Sequence, residues 1–160
     1  PAMFDPHRSS RDDPPGDEPS PGALIHRVRV FVFGYRDARP DYLLLRRGPD
    51  HDSFWTPLQG TLGLGEQLEG AVRREILAEI EGLVPTDLID LNLAPAFTLG
   101  DERVVEWTFA CRAAEPKRDL CLQPPWLHHR WLEFAAAFPA LELDHDRAAI
   151  LRLHTLLHEN

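Results

Sequence analysis

Residues 60–83 read Gly60-Thr-Leu-Gly-Leu-Gly-Glu66-Gln-Leu-Glu-Gly-Ala-Val-Arg-Arg74-Glu75-Ile76-Leu-Ala78-Glu79-Ile-Glu81-Gly82-Leu83. Leu68, Val72, Ile76, Ile80 and Leu83 recur at spacings of four, four, four and three, which predicts one apolar face on a helix over about residues 66–81. Pro85 blocks much further extension. Glu75 and Glu79 stand four apart, so they share a helix face, and at about 100° per residue that face adjoins the apolar stripe. Two carboxylates at the rim of a core suit a hard divalent cation such as Mg²⁺, which takes oxygen ligands and keeps several waters. Gly60, Gly63 and Gly65 lie in the preceding segment, Gln59–Gly65, which reads as a loop whose backbone can approach a phosphate or offer a carbonyl to a metal. The plainer alternative is a solvated surface helix in which Arg74 pairs with its acidic neighbours.

Strand patterns flank this segment. Upstream, Val28, Val30 and Val32 alternate with Arg27, Arg29, Phe31 and Phe33, a period of two. Gly34 to Asp41 reads as a turn, Tyr42 to Leu45 as a short buried strand, and Phe54 to Thr56 as another, stopped by Pro57. Downstream, Leu88–Leu99 and Arg103–Cys111 read as two strands joined at Gly100-Asp101, with Pro95 weakening the first. Trp131-Leu132 suggests a last strand, and Ala135 to Phe138 a helical turn. Asp144 is the predicted N-cap of a final helix, with Ile150, Leu151, Leu153 and Leu157 facing a core. Residues 1–22 form a separate zone. They hold six of the 15 prolines and few other apolar side chains, so a disordered tail is expected ahead of one domain over 23–160.

Composition narrows the partners. Against 17 Lys and Arg stand 26 Asp and Glu, a formal net charge of −9. That balance argues against a nucleic-acid polymer, whose phosphates need basic patches. It leaves room for a small phosphorylated substrate, because a bound cation bridges two anionic groups. Cys111 and Cys121 have no zinc spacing and are expected as reduced thiols, which points to the cytoplasm. No apolar run is long enough for a membrane span, and no basic and then apolar leader is visible. A homodimer is left open.

The quoted segment resembles the signature of the Nudix hydrolases: Gly, five residues, Glu, seven residues, Arg-Glu, an apolar residue, any residue, Glu-Glu, any residue, Gly and an apolar residue. Gly60, Glu66, Arg74, Glu75, Ile76 and Glu79 fall in register. Two departures stand out. Ala78 occupies the place of the first Glu of the pair, and the closing glycine and apolar residue come one place late, as Gly82 and Leu83. The resemblance implies an α/β fold, a Nudix-type α/β/α sandwich whose mixed β-sheet lies between the signature helix and a C-terminal helix. It implies cleavage of a diphosphate linkage with Mg²⁺ or Mn²⁺. By the same resemblance Glu75 and Glu79 are metal ligands, one of which orients or deprotonates the attacking water. Arg74 holds acidic side chains, with Glu66 a candidate, and the Gly60 carbonyl is an inner-shell oxygen.

Members of the family draw a further Glu from a later strand or loop, for which Glu106 is the first candidate and Glu102 the second. Leu43–Arg47, Phe54–Gly60 and His129–Leu132 resemble the branch of dATP and dihydroneopterin triphosphate pyrophosphohydrolases. That implies a nucleoside or pterin triphosphate as substrate. Dinucleoside polyphosphates and nucleotide sugars are the alternatives within the family. A base needs an aromatic face, for which Phe54, Phe97, Trp107 and Trp126 are candidates, and phosphates need cations, for which Arg46, Arg47, Arg27 and Arg29 are candidates. The rival from another class is a Nudix-fold binding or regulatory module whose catalysis weakened with the change at Ala78.

Overall fold

The computed structural model describes residues 24–48, 54–63, 65, 67–114 and 120–159, with the side chains of Ile76, Leu77 and Glu79 outside the description. The expected tail over residues 1–22 and the candidate Glu66 also lie outside the described residues. Strand β1 (Leu24–Arg36) runs through the middle of a sheet. Along one edge it pairs in parallel with β7 (Glu102–Ala113). Along the other it pairs antiparallel with β3 (Leu58–Thr61) through Arg27–Val30, and then with β2 (Arg39–Arg46) from Val32 to Arg36. β5 (Pro85–Leu93) and β6 (Ala96–Leu99) both pair with β7, and β9 (His128–Glu133) pairs with β2. One parallel pair among antiparallel ones makes the sheet mixed, as expected.

Both faces of the sheet are buried, and the alternation along β1 sorts its side chains between them. Val28, Val30 and Val32 lie in one core with Ala71 and Val72 of helix α1 (Leu68–Glu79). Phe31 and Phe33 lie in the other with Ala137 of α2 (Phe134–Ala140) and with Ala149, Ile150 and Leu153 of α3 (Asp144–Leu157). Each such side chain contributes about 1.5–3 kcal/mol on burial, so a pattern apolar on both faces demands cover on both. The result is a helix–sheet–helix sandwich.

Several local expectations change. The turn expected over Gly34–Asp41 is only Asp37-Ala38, both at positive φ (53° and 66°), as a two-residue hairpin turn of the primed kind requires. The strands therefore run on through Gly34 and Pro40. Gln59–Thr61 is strand rather than loop, because β1 offers its free edge there. α1 ends at Glu79. Ile80-Glu81 instead form strand β4, paired with β8 (Cys121–Leu122), and Gly82 turns the chain at a φ of 89°. The strand expected over Leu88–Leu99 breaks at Ala94-Pro95 into β5 and β6. Phe54 to Thr56 is no full strand, contributing single bridges from Thr56 to Leu45 and from Trp55 to Leu141. Asp144 is the first helical residue of α3, with Leu143 at the cap position. Leu151 points outward at 49% exposure.

One partly buried histidine ties stability to pH. The Nδ1 atom of His154 lies 2.7 Å from the Tyr42 hydroxyl, and its ring stacks on Phe134. Burial first, and the neighbouring His158 second, lower its pKa below the ordinary histidine value. The unfolded chain therefore binds the extra proton more readily. The stabilising contribution is complete above about pH 6.5 and is lost as pH falls below it. The thermal midpoint is expected to fall between about pH 7.5 and about pH 5.5, and less steeply in His154→Gln. Equal slopes in the two proteins would refute this.

Candidate active site

The site is built around β3, whose alternate residues face opposite sides of the sheet. Gly60 pairs with Val28 and faces α1, whereas Gln59 pairs with Arg29 and faces the α3 side. On the α1 side Gly60 meets Glu75, which is only 8% exposed. A methyl group at Gly60 would overlap the Glu75 carboxyl, so glycine is what lets this carboxylate lie against the strand backbone. Arg74 holds the pair in place. Its Nη1 donates to Glu75 Oε1 at 3.0 Å and its Nη2 to the Thr61 carbonyl at 2.7 Å. Arg74, Glu75 and Gly60, singled out in the sequence from one segment, are thus brought together in space. Glu79 ends α1 one turn beyond Glu75, with its side chain outside the description, and Ala78 is exposed. Among the described residues no three His, Cys, Asp or Glu side chains cluster as a metal cage.

Gly60→Ala is expected to displace the Glu75 carboxyl and lower kcat by roughly 100-fold, the usual cost of misplacing a catalytic group by about 1 Å. Steady-state kinetics alongside a melting curve checks it; wild-type kcat in the variant would show that the close approach has no role.

On the opposite face lies a cavity of about 660 Å³. Phe54, Phe97, Leu99 and Leu143 give it apolar walls, and Arg27, Arg47 and Glu106 bring charge to it. Of the candidate substrate-binding residues, Arg47 and Phe54 both line it. Arg46 does not join them: its guanidinium sits 4.9 Å from the Trp55 ring centre, in a separate basic recess with His128 and Arg130. The aromatic candidates divide in the same way. Phe54 and Phe97 line the cavity, while Trp107 packs toward the α1-side core and donates to His26 Nδ1 at 3.1 Å. Trp126 is buried in that core, with the Arg47 guanidinium 4.9 Å from its ring centre.

Glu106 is where the structure departs most from expectation. It pairs across the sheet with Arg27, and its neighbour Trp107 takes the α1 face, so Glu106 faces α3. It thus lies on the other face of the sheet from Glu75. Its Oε2 instead accepts from Arg29 Nη1 at 3.3 Å. Arg29 is 3% exposed and makes a two-pronged pair with Asp146 of α3, at 2.9 Å from Nε and 2.6 Å from Nη2. Asp146 and His145 had no signal of their own in the sequence. The only hint was an arginine placed among valines and phenylalanines of β1, which a buried position obliges to find a counter-charge.

Comparison with known proteins bears on this geometry. The NUDIX domain profile matches residues 25–153, and the chain belongs to that family of hydrolases. Over 140 residues it is 31% identical to the octanoyltransferase of Myxococcus xanthus, a match covering 85% of this chain; the chain spans 38% of that protein's length. The fold is similar to that of the Escherichia coli dihydroneopterin triphosphate pyrophosphohydrolase, with a TM-score of 0.66 and 24% identity over 82% of this chain and 95% of the other. It is also similar to the NUDIX domain of Shewanella oneidensis NrtR in complex with ADP ribose, with a TM-score of 0.71 and 17% identity over 97% and 99% of the two chains. A Caenorhabditis elegans Ap4A hydrolase gives a TM-score of 0.64 at 17% identity over 83% and 97%.

Proposed function

We propose that this protein hydrolyses the diphosphate linkage of a nucleoside or pterin triphosphate and releases a monophosphate and pyrophosphate. The observation that carries the reading is the shared wall of β3, with Glu75 clamped by Arg74 on one face and a half-apolar, half-charged cavity on the other. The heterocycle enters the cavity between the Phe54 and Phe97 sides, and Arg27 and Arg47 attract the phosphates. Glu75, Glu79 and the Gly60 carbonyl are hard oxygen donors that suit Mg²⁺ or Mn²⁺, and Glu75 is already held in one position by Arg74. When bound, such a cation neutralises phosphoryl charge and lowers the pKa of an attacking water. The partner is a small phosphorylated molecule rather than a nucleic-acid polymer. Among the described residues no helix is long and apolar enough to cross a membrane, and the free thiols Cys111 and Cys121 suit a cytoplasmic setting. Residues 23–160 act as one domain behind a Pro-rich tail.

Ala78 favours a second reading, a Nudix-fold module that binds a nucleotide derivative without cleaving it, because a methyl group stands where the signature has a carboxylate. A panel of nucleoside triphosphates, dihydroneopterin triphosphate, dinucleoside polyphosphates and nucleotide sugars, with Mg²⁺ or Mn²⁺, separates the two. Release of pyrophosphate that stops in excess EDTA is the expected result. Binding without turnover across the panel would favour the module, and cleavage only of dinucleoside polyphosphates or nucleotide sugars would move the substrate to those classes.

A further inference from the structure

We infer that Glu106, with His145 beside it, reads the heterocycle, and that it selects rings presenting adjacent N–H donors, the amino-and-ring-N–H edge shared by 2-amino-6-oxo guanine and 2-amino-4-oxo pterin, over adenine. The inference rests on the cavity being the substrate site. Glu106 is 2% exposed, yet its Oε1 has no hydrogen-bond partner among the described residues. Arg29 cannot supply one, because its Nε and Nη2 are engaged by Asp146 and its Nη1 serves Oε2. The Arg27 Nη1 atom is 4.0 Å from Oε2, too far for a hydrogen bond. His145 Nε2 lies 3.5 Å from Oε1 and 3.8 Å from Asp146 Oδ1, and it too makes no hydrogen bond among the described residues. Both groups line the cavity.

A buried acceptor left without a donor is costly, and native structures keep few of them without a use. An ionised carboxylate only accepts. Set beside apolar walls, Glu106 Oε1 therefore favours a flat ring whose edge donates. Guanine and pterin carry a ring N–H next to an amino group. Adenine carries a ring nitrogen lone pair next to its amino group, and that lone pair would face the carboxylate. Sites built around a substrate N–H discriminate strongly against analogues that lack it, since the buried acceptor then stays unpaired.

Glu106→Gln tests this in a defined direction. The amide oxygen must face Arg29, so the amide nitrogen takes the place of Oε1 and turns an acceptor at the cavity wall, 3.5 Å from His145 Nε2, into a donor. The full chain is assayed with dGTP, dihydroneopterin triphosphate and dATP under Mg²⁺. Binding of neopterin and of adenosine, neither carrying phosphate, is titrated separately by fluorescence and calorimetry. In wild type, neopterin is expected to bind more tightly than adenosine. In the variant, the ratio of kcat/KM for dGTP or dihydroneopterin triphosphate over dATP should fall by about 10-fold or more. Equal binding of neopterin and adenosine by wild type, or a kcat/KM ratio in the variant within about 2-fold of wild type, would overturn the inference while leaving the hydrolase reading intact. A wild type that prefers neopterin but cleaves no triphosphate would keep the inference and sink the hydrolase reading. A melting curve confirms that the variant is folded; the wild-type binding comparison decides the matter without it.

Discussion

Glu75→Gln is expected to lower kcat/KM by roughly 100-fold or more, about 2.7 kcal/mol of transition-state stabilisation. The substitution keeps the shape of a side chain that is nearly buried against Gly60, and it removes the charge that Arg74 holds at 3.0 Å. A neutral amide cannot replace a carboxylate toward a hard cation, whose affinity follows the charge of its ligands. The fold should be nearly indifferent, because Arg74 is half exposed and such an ion pair contributes little to stability. The signature is therefore a large kinetic loss with a thermal midpoint shifted by no more than about 2 °C. Glu79→Gln should behave alike. Wild-type turnover in either variant, or in excess EDTA, would remove the carboxylates from the chemistry.

Asp146→Ala should show the reverse pattern, a loss of stability first. Asp146 is 1% exposed and takes two hydrogen bonds from an arginine that is itself buried in β1. Removing one partner of a buried pair leaves a charge without compensation, at a cost of about 3–5 kcal/mol. Glu106 still faces Arg29 at 3.3 Å, so the lower end of that range applies. For a domain of this size about 3 kcal/mol is a drop in thermal midpoint of roughly 6–12 °C. A melting curve within about 2 °C of wild type would mean that Glu106 alone satisfies Arg29.

These two residues show how unevenly the molecule can be read from its sequence. Glu75 was legible because its neighbours are close in the chain: Arg74 adjoins it, and Gly60 precedes it by one loop and about two helix turns. Local spacing carries that information. Asp146 is 117 residues from Arg29, and nothing near it in the chain marks it as a partner. Strand ends were misplaced for a related reason. Gly34, Pro40 and Gln59–Thr61 carry turn or loop chemistry, yet they lie in strands because β1 supplies edges for them to pair with.

The sequence by itself determined the family, the period of two along β1, and the helix that carries Arg74 and Glu75 behind a glycine-rich segment. All of these follow from residue type at short spacing. Only the tertiary structure decided which side of the sheet each distant residue serves. Strand alternation flips a side chain at every step, and the pairing register is fixed by contacts across the sheet. A register of Arg27 with Glu106 sends that carboxylate to the α3 face and the cavity, away from Glu75. The same register brings α3 over Arg29 and makes Asp146 its counter-charge.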